Sequence, residues 1–288
     1  MSFERTTQQN IPIFVINLKQ DTHKKKHMQE MAEQYGFEFS FIEAIYGKEL
    51  AQDNVDEICR HEESLKAINR KLFRGEVGVA LSQMSIYQKM LDENIQDAII
   101  FEDDVIINEN LFEVINAIDK FPQDWEIVLL GYHRHFISNK FNRLSFRNRK
   151  KVSENFKIVR FTDVMDGAFG YIINQEGAKK MLKTLKKGIE KPVDCYTGNS
   201  KYINLYGLHP TCVSVDITIG SSINKERHEH WLINDTEQKQ ITKKDGIKNF
   251  LKKCGVLSFL QSLNAIRGTF QSELKHLPKR LKTPKKYN

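Results

Sequence analysis

Three adjacent acidic residues, Glu102-Asp103-Asp104, follow directly on the apolar run Ala98-Ile99-Ile100-Phe101. A short, β-branched run of this kind reads as a buried strand. Such a strand delivers all three carboxylates at its carboxyl end, the edge where open α/β sheets gather their ligands. Adjacent carboxylates repel one another, so a cation is their natural company. Mg²⁺ or Mn²⁺ shared with substrate phosphates suits these hard oxygen donors. A solvated acidic turn is the plain alternative. Two other carboxylates could act as a general base. Asp194 sits in Lys191-Pro192-Val193-Asp194 after a helical pattern. Its structural alternative is a helix N-cap, since Thr197, Gly198 and Asn199 can follow in a turn. Asp166 precedes an apolar run, with Gly167 and Gly170 there to admit close backbone approach. Asp216, at the end of the last expected strand, is a further candidate for a metal or acceptor contact. His228 and His230 have ligand chemistry at i, i+2 spacing and could supply a third metal ligand. His133 and His135 read either as substrate contacts or as solvated loop residues.

The elements that must hold these groups can be read from hydrophobic periodicity. Ile11 to Leu18 reads as a buried strand, Thr22 to Tyr35 as a helix stopped at Gly36, and Phe37 to Ile42 as a second strand. That order predicts a βαβ unit. Asn17 and Lys19 then fall at the nucleotide-facing edge. Lys48 to Phe73 is polar and reads as a helical excursion or an ordered loop. Glu76 to Asn94 is a helix with Val77, Ala80, Leu81, Met84, Tyr87 and Leu91 on one face. Ser82 and Gln83 lie on it, beside the expected site. Trp125 to Tyr132 is a strand, and Arg134 to Asn155 reads as a mobile loop. Strands at Phe156–Phe161, Phe169–Asn174 and Leu208–Val215 and a helix over Gln175–Lys187 complete an α/β fold. Its central sheet is mostly parallel and flanked by helices.

The 288 residues carry a formal charge of +7, but unevenly. From Lys239 to Asn288 there are 13 Lys/Arg against Asp245 and Glu273, a net of +11, so the remainder is slightly acidic. A nucleic-acid reading from overall charge therefore fails. Apolar residues repeat every three or four positions from Ile247 to Leu277. The segment 239–288 thus reads as a basic amphipathic helical region after a catalytic domain over 1–238. It suits an anionic membrane surface. No run of about 18 apolar residues marks a membrane span. The polar N-terminus lacks a secretory signal, and a cytoplasmic location is expected, peripheral on the inner membrane face. Cys59, Cys195, Cys212 and Cys254 form neither a disulfide framework nor a zinc signature.

Five segments occur in a telling order: INLKQDTHKKKHM, GEVGVALSQMSIYQKM, AIIFEDDV, GAFGYIINQEGAKKML and KPVD. Over residues 11–225 the chain resembles glycosyltransferase family 25, the lipooligosaccharide and lipopolysaccharide glycosyltransferases of Gram-negative bacteria. It departs from the family's Gly-Glu-x-Gly-Cys-x-x-Ser-His at Val79, in place of Cys, and at Gln83, in place of His. Lys24-Lys25-Lys26 stands where the family often has Arg. The resemblance implies a GT-A-type fold and a UDP-hexose donor, with galactose or glucose passed to a glycolipid or oligosaccharide acceptor. It makes Glu102-Asp103-Asp104 the D-x-D-type motif under the diphosphate. Asp104, with Glu102, would hold Mn²⁺ or Mg²⁺. Glu102 or Asp103 would reach the ribose or a metal-bound water. Asn17 and Lys19 would line the uridine pocket, with the cofactor-side residues Ser82 and Gln83 on a helix beside it. Asp194, matching the family's Pro-Val-Asp, is the base in an inverting transfer, with Asp166 as the second candidate. A metal-dependent phosphohydrolase and a nucleic-acid-binding module are the competing readings. The first would need an acidic nucleophile motif after the opening strand, which is absent. The second has no phosphate loop, zinc signature or aromatic-Gly RNA motif.

Overall fold

The computed structural model describes residues 11–132, 144–161, 164–165, 167, 169–216 and 218–220. Asp166, His133, His135, His228, His230 and the segment 239–288 lie outside the described residues. The chain opens with strand β1 (Ile13–Asn17), helix α1 (Thr22–Tyr35) and strand β2 (Phe39–Glu43), and β1 and β2 pair in parallel. Gly36, with φ 73°, ends α1 in the left-handed conformation that glycine adopts without strain. The polar stretch that follows is a helical excursion: a 3-10 turn at Gly47–Glu49, then α2 (Gln52–Ile58) and α3 (His61–Ile68). Helix α4 (Arg74–Asp92) leads into β3 (Asp97–Glu102), which pairs in parallel with the other side of β1.

The second half follows as β4 (Val105–Ile107), α5 (Leu111–Ile115), β5 (Ile127–Leu129), β6 (Leu144–Lys151), β7 (Lys157–Phe161), β8 (Gly170–Asn174), α6 (Gln175–Leu185), α7 (Asp194–Thr197), β9 (Leu205–His209) and β10 (Val213–Val215). The main sheet has the order β2-β1-β3-β8-β5-β9-β7-β6. β1, β2, β3, β5, β6 and β9 run one way, and β7 and β8 run against them. This is the mostly parallel sheet flanked by helices that the sequence pattern predicts. Strand alternation splits the core. Phe14, Ile16, Ala98, Ile100, Tyr171 and Ile173 pack toward α4 and α6. Val15, Ile99, Phe101, Val128 and Ile172 pack with residues of α1 and α5. Among the described residues no helix is long and apolar enough to cross a membrane.

Two expectations are corrected. The segment expected as a mobile loop contains β6, the outermost strand of the sheet. Its Arg and Lys content is what an edge strand uses to discourage further pairing, and it hides the apolar period by which strands are recognised. The expected last strand is divided between two sheets. β9 joins the main sheet, whereas β10 pairs with β4. Pro210, which has no N–H to donate, stands between them.

The Gly-Glu-x-Gly segment builds the start of α4. Glu76 is buried, takes both guanidinium nitrogens of Arg70 at 2.8 Å, and accepts the Phe73 N–H at 3.1 Å. Gly78 lets α4 meet the 3-10 turn backbone to backbone. A Cβ there would lie 2.4 Å from the Ile45 carbonyl oxygen and 2.8 Å from the Gly47 nitrogen. Inside an ordinary helix, Gly→Ala gains about 1 kcal/mol. Gly78→Ala should instead lose about 1–3 kcal/mol, the usual cost of overpacking. Urea unfolding checks the sign, and a stabilised variant would disprove this backbone contact.

Candidate active site

The carboxyl ends of β1, β2 and β3 lie side by side, and the three acidic residues leave β3 there. Asp103 turns to the α1 side. Its Oδ2 accepts from Asn17 Nδ2 at 2.8 Å and its Oδ1 from Lys24 Nζ at 2.9 Å. Lys24 is only 5% exposed and lies 3.8 Å from Asp104 Oδ2 as well. Burial works against the ammonium charge, but Asp103, then Asp104 and Asp21, outweigh it and hold Lys24 above its ordinary pKa. The clamp joins β1, α1 and the acidic turn through groups far apart in sequence.

Asp104 has a different environment. It is buried, and its Oδ1 has no hydrogen-bond partner. Burial raises its pKa, Lys24 and His27 oppose that, and Asp103 adds to it. His27 Nε2 lies 2.9 Å from the Val105 carbonyl oxygen, so it is the protonated, donating nitrogen. β4 and β10 bring in Asp216, whose N–H donates to the Asp104 carbonyl at 2.7 Å. One oxygen of the Asp216 carboxylate, Oδ1, accepts both the Thr218 N–H at 2.9 Å and its hydroxyl at 2.6 Å.

Glu102 faces the α4 side of the sheet. Burial, then the negative charges of Asp104, Asp194 and Asp103, push its pKa up to about 8, although part of the side chain still meets solvent. Asp194 is close enough for its charge to act on Glu102. Asp194 is half-exposed and begins α7, with Val193 rather than Asp194 in the N-cap position. The N-cap alternative therefore gives way to a carboxylate in the first turn.

Lys19 lines a hollow of about 340 Å³ with Gln20, Glu43, Ala44, Ile45, Tyr46 and Glu49. Asn17 links that hollow to the acidic turn, because its carbonyl accepts the Ala44 N–H at 2.9 Å. Ser82 and Gln83 are fully buried. Ser82 Oγ accepts the Ile45 N–H at 2.8 Å and donates to the Gly78 carbonyl at 2.7 Å. It thus shapes one wall of the hollow from behind. The Gln83 side-chain amide lies within hydrogen-bond distance of the hydroxyls of Tyr87 and Tyr171.

Among the described residues no group of three or more His, Cys, Asp or Glu is arranged to hold a metal. The orphaned Asp104 oxygen and the proton-hungry Glu102 still fit one hard divalent cation. Mg²⁺-type ions characteristically take one or two carboxylates and complete their shell with waters and substrate phosphates.

Residues 10–197 match the profile described as Glycosyltransferase family 25 (LPS biosynthesis protein). The chain belongs to glycosyltransferase family 25. Procollagen galactosyltransferase 2 of Homo sapiens is 26% identical over 191 residues, covering 63% of this chain and 29% of that protein. A putative glycosyltransferase of Haemophilus influenzae is 28% identical over 186 residues, covering 63% of this chain and 59% of its own length. The family 25 chain thus spans less than a third of the length of the galactosyltransferase it matches. Among solved structures, mouse xyloside xylosyltransferase 1 overlaps 65% of this chain and 80% of its own at 11% identity and a TM-score of 0.34. A glycosyltransferase involved in glycosylating the major capsid of PBCV-1 overlaps 61% and 65% at 10% identity and a TM-score of 0.29. The profile and these relatives are named for glycosyl transfer, and none of them is named for phosphohydrolysis.

Sequence reasoning missed Lys24 in this family 25 site. The signal was present, because Lys24, Met28 and Met31 form one buried stripe of α1 at four- and three-residue steps. Lys24→Met should remove the counter-charge from two buried carboxylates. The expected loss is about 3–5 kcal/mol, as for a broken buried ion pair, with part recovered on adding Mn²⁺. Urea unfolding with and without Mn²⁺ measures both.

The raised Glu102 pKa has a pH signature. A carboxyl that binds its proton more tightly when folded stabilises the fold fully below its ordinary value of 4.5, and that stability is lost as pH rises toward about 8. Cation-free protein should therefore lose stability across that window. Glu102→Gln should flatten this part of the profile, and an unchanged slope would place the raised pKa elsewhere.

Proposed function

We propose that this chain is an inverting hexosyltransferase. It moves galactose or glucose from a UDP-sugar to a lipooligosaccharide, a lipopolysaccharide or a related surface glycan. One observation carries the reading: the acidic end of β3, on which the Asp194 charge acts, shares the carboxyl edge of the sheet with the hollow around Tyr46. The hollow supports a nucleoside role. The Tyr46 ring and Ile45 offer apolar surface to a base, while Glu43 and Glu49 offer acceptors for ribose hydroxyls or an imide N–H. Lys19 supplies positive charge toward a diphosphate. Glu102 and Asp104 would hold Mn²⁺ or Mg²⁺, which supplies charge neutralisation for the departing diphosphate. Asp103, pinned by Asn17 and Lys24, fixes the turn that presents them.

Asp194 takes the proton of the acceptor hydroxyl as that oxygen bonds to the anomeric carbon and the bond to UDP breaks. Its half-exposed position leaves room for an acceptor. Asp166 stays the second candidate for this role. The galactosyltransferase names among the relatives support a hexose donor, and the family's description supports a lipopolysaccharide-type acceptor. The net charge of +11 over residues 239–288 supports docking at the anionic inner face of the cytoplasmic membrane, where such glycolipids are assembled.

Product analysis with a panel of UDP-sugars, Mn²⁺ and a lipooligosaccharide acceptor tests the reading. UDP release should require both one UDP-hexose and the acceptor. Asp194→Asn should lower kcat by about 10² to 10⁴ with UDP affinity nearly unchanged, as for a lost general base. Equal losses in UDP binding would assign Asp194 a structural role. A larger kcat loss in Asp166→Asn would transfer the base role to that residue.

A further inference from the structure

Beneath the acidic turn, on the α4 side of the sheet, three polar side chains are sealed from solvent. Gln83, Tyr87 and Tyr171 each have 0% exposure. Their oxygens form a closed triangle. The Tyr87 and Tyr171 hydroxyls lie 2.9 and 3.0 Å from Gln83 Oε1 and 2.6 Å from each other. Two hydroxyl protons cannot serve three oxygen–oxygen edges, so one edge sets lone pair against lone pair. Meanwhile Gln83 Nε2 is buried with no partner at all. Orphaned buried donors are rarer in proteins than under-satisfied acceptors.

A half-turn of the Gln83 amide removes the lone-pair conflict and exchanges the orphaned donor for an under-satisfied acceptor, and such a turn exchanges groups of nearly equal size. Nε2 then faces the triangle and donates to both tyrosines. One hydroxyl proton bridges the two rings. The other has no acceptor left inside the triangle.

The sheet register gives that spare proton a direction. Ile100 pairs with Tyr171 across β3 and β8. Glu102 lies two residues further along β3, on the same face as Tyr171. Such a diagonal neighbour is within reach of long side chains. The Tyr171 hydroxyl is held well above its ordinary pKa by burial first, then by Tyr87, and also by Glu102.

We propose that Gln83, Tyr87 and Tyr171 form a positioning unit. The Gln83 amide donates to both tyrosines, and Tyr171 presents its hydroxyl proton to the Glu102 carboxylate through one bound water. Gln83 thus acts on the site from the interior without touching the donor. The unit holds one Glu102 oxygen toward the sheet and leaves the other for a cation. In this last respect it rests on the reading of Glu102 as a metal-site carboxylate.

A double-mutant cycle tests the contact independently of that reading. In cation-free full-length chain, the Tm loss caused by Tyr171→Phe should shrink in the Glu102→Met background. Equal losses in both backgrounds would overturn the proposal. Titration with Mn²⁺ alone, followed by electron paramagnetic resonance, supplies the second measurement. Tyr171→Phe should weaken binding about tenfold, as for loss of a group that orients a ligand. Tyr87→Phe removes a hydroxyl from the same triangle but leaves Gln83 donating to Tyr171, so it should weaken Mn²⁺ binding less. Equal weakening in the two variants would overturn the unit as described. If wild-type chain binds no Mn²⁺ while the cycle stays non-additive, the metal reading fails and the tyrosine contact stands.

Discussion

The working edge depends on one buried ion pair. Three carboxylates in a row at a strand end repel each other, and an ammonium in the interior carries a desolvation penalty of several kcal/mol. Lys24 and Asp103 offset each other's penalty, and Asn17 occupies the second Asp103 oxygen. The protein therefore neutralises one of the three carboxylates itself. The neighbouring two keep raised proton affinities and remain available to a cation. That difference in role comes from strand alternation. Asp103 turns toward α1, and Glu102 faces α4 and the tyrosine pair.

Sequence patterns reveal the long, periodic parts of this arrangement. β1, α1 and β2 are legible because an apolar strand, a helix stopped by glycine and a second strand each have their own period. The acidic turn is legible because its residues directly follow an apolar run. Lys24 is not, because a lysine within Lys24-Lys25-Lys26 reads as solvated until the stripe with Met28 and Met31 is noticed. β4 and β10 contain three residues each, too few for a period to be seen. That the Asp194 charge acts on Glu102 is a tertiary effect, set by a chain that returns through β8 and α6. Family resemblance singled out each residue separately, and local pattern could not have shown that the charge of one acts on the other.

The Gly-Glu-x-Gly segment looks, in sequence, like part of a binding site. In the fold its residues are scaffolding one layer behind it. Glu76 anchors Arg70, Gly78 admits the 3-10 turn, and Ser82 holds the Ile45 N–H. The hollow is thereby tied to α4, which also carries Gln83 and Tyr87. One helix therefore supports both the nucleoside side and the Glu102 side of the site from within. Substitutions on its buried face can alter the site without touching a ligand.

The position of β8 also bears on how the chain is made. β8 lies at the centre of the sheet, between β3 and β5, yet β5, β6 and β7 all precede it in sequence. The trio β2-β1-β3 can assemble as soon as residue 102 has left the ribosome. The open side of β3 then has to wait through the rest of elongation up to Asn174 for its partner. Until then a strand rich in isoleucine presents unpaired backbone to its surroundings, the condition under which nascent chains aggregate. Translation speed and chaperone supply, rather than final stability alone, therefore bear directly on how much soluble protein this architecture yields.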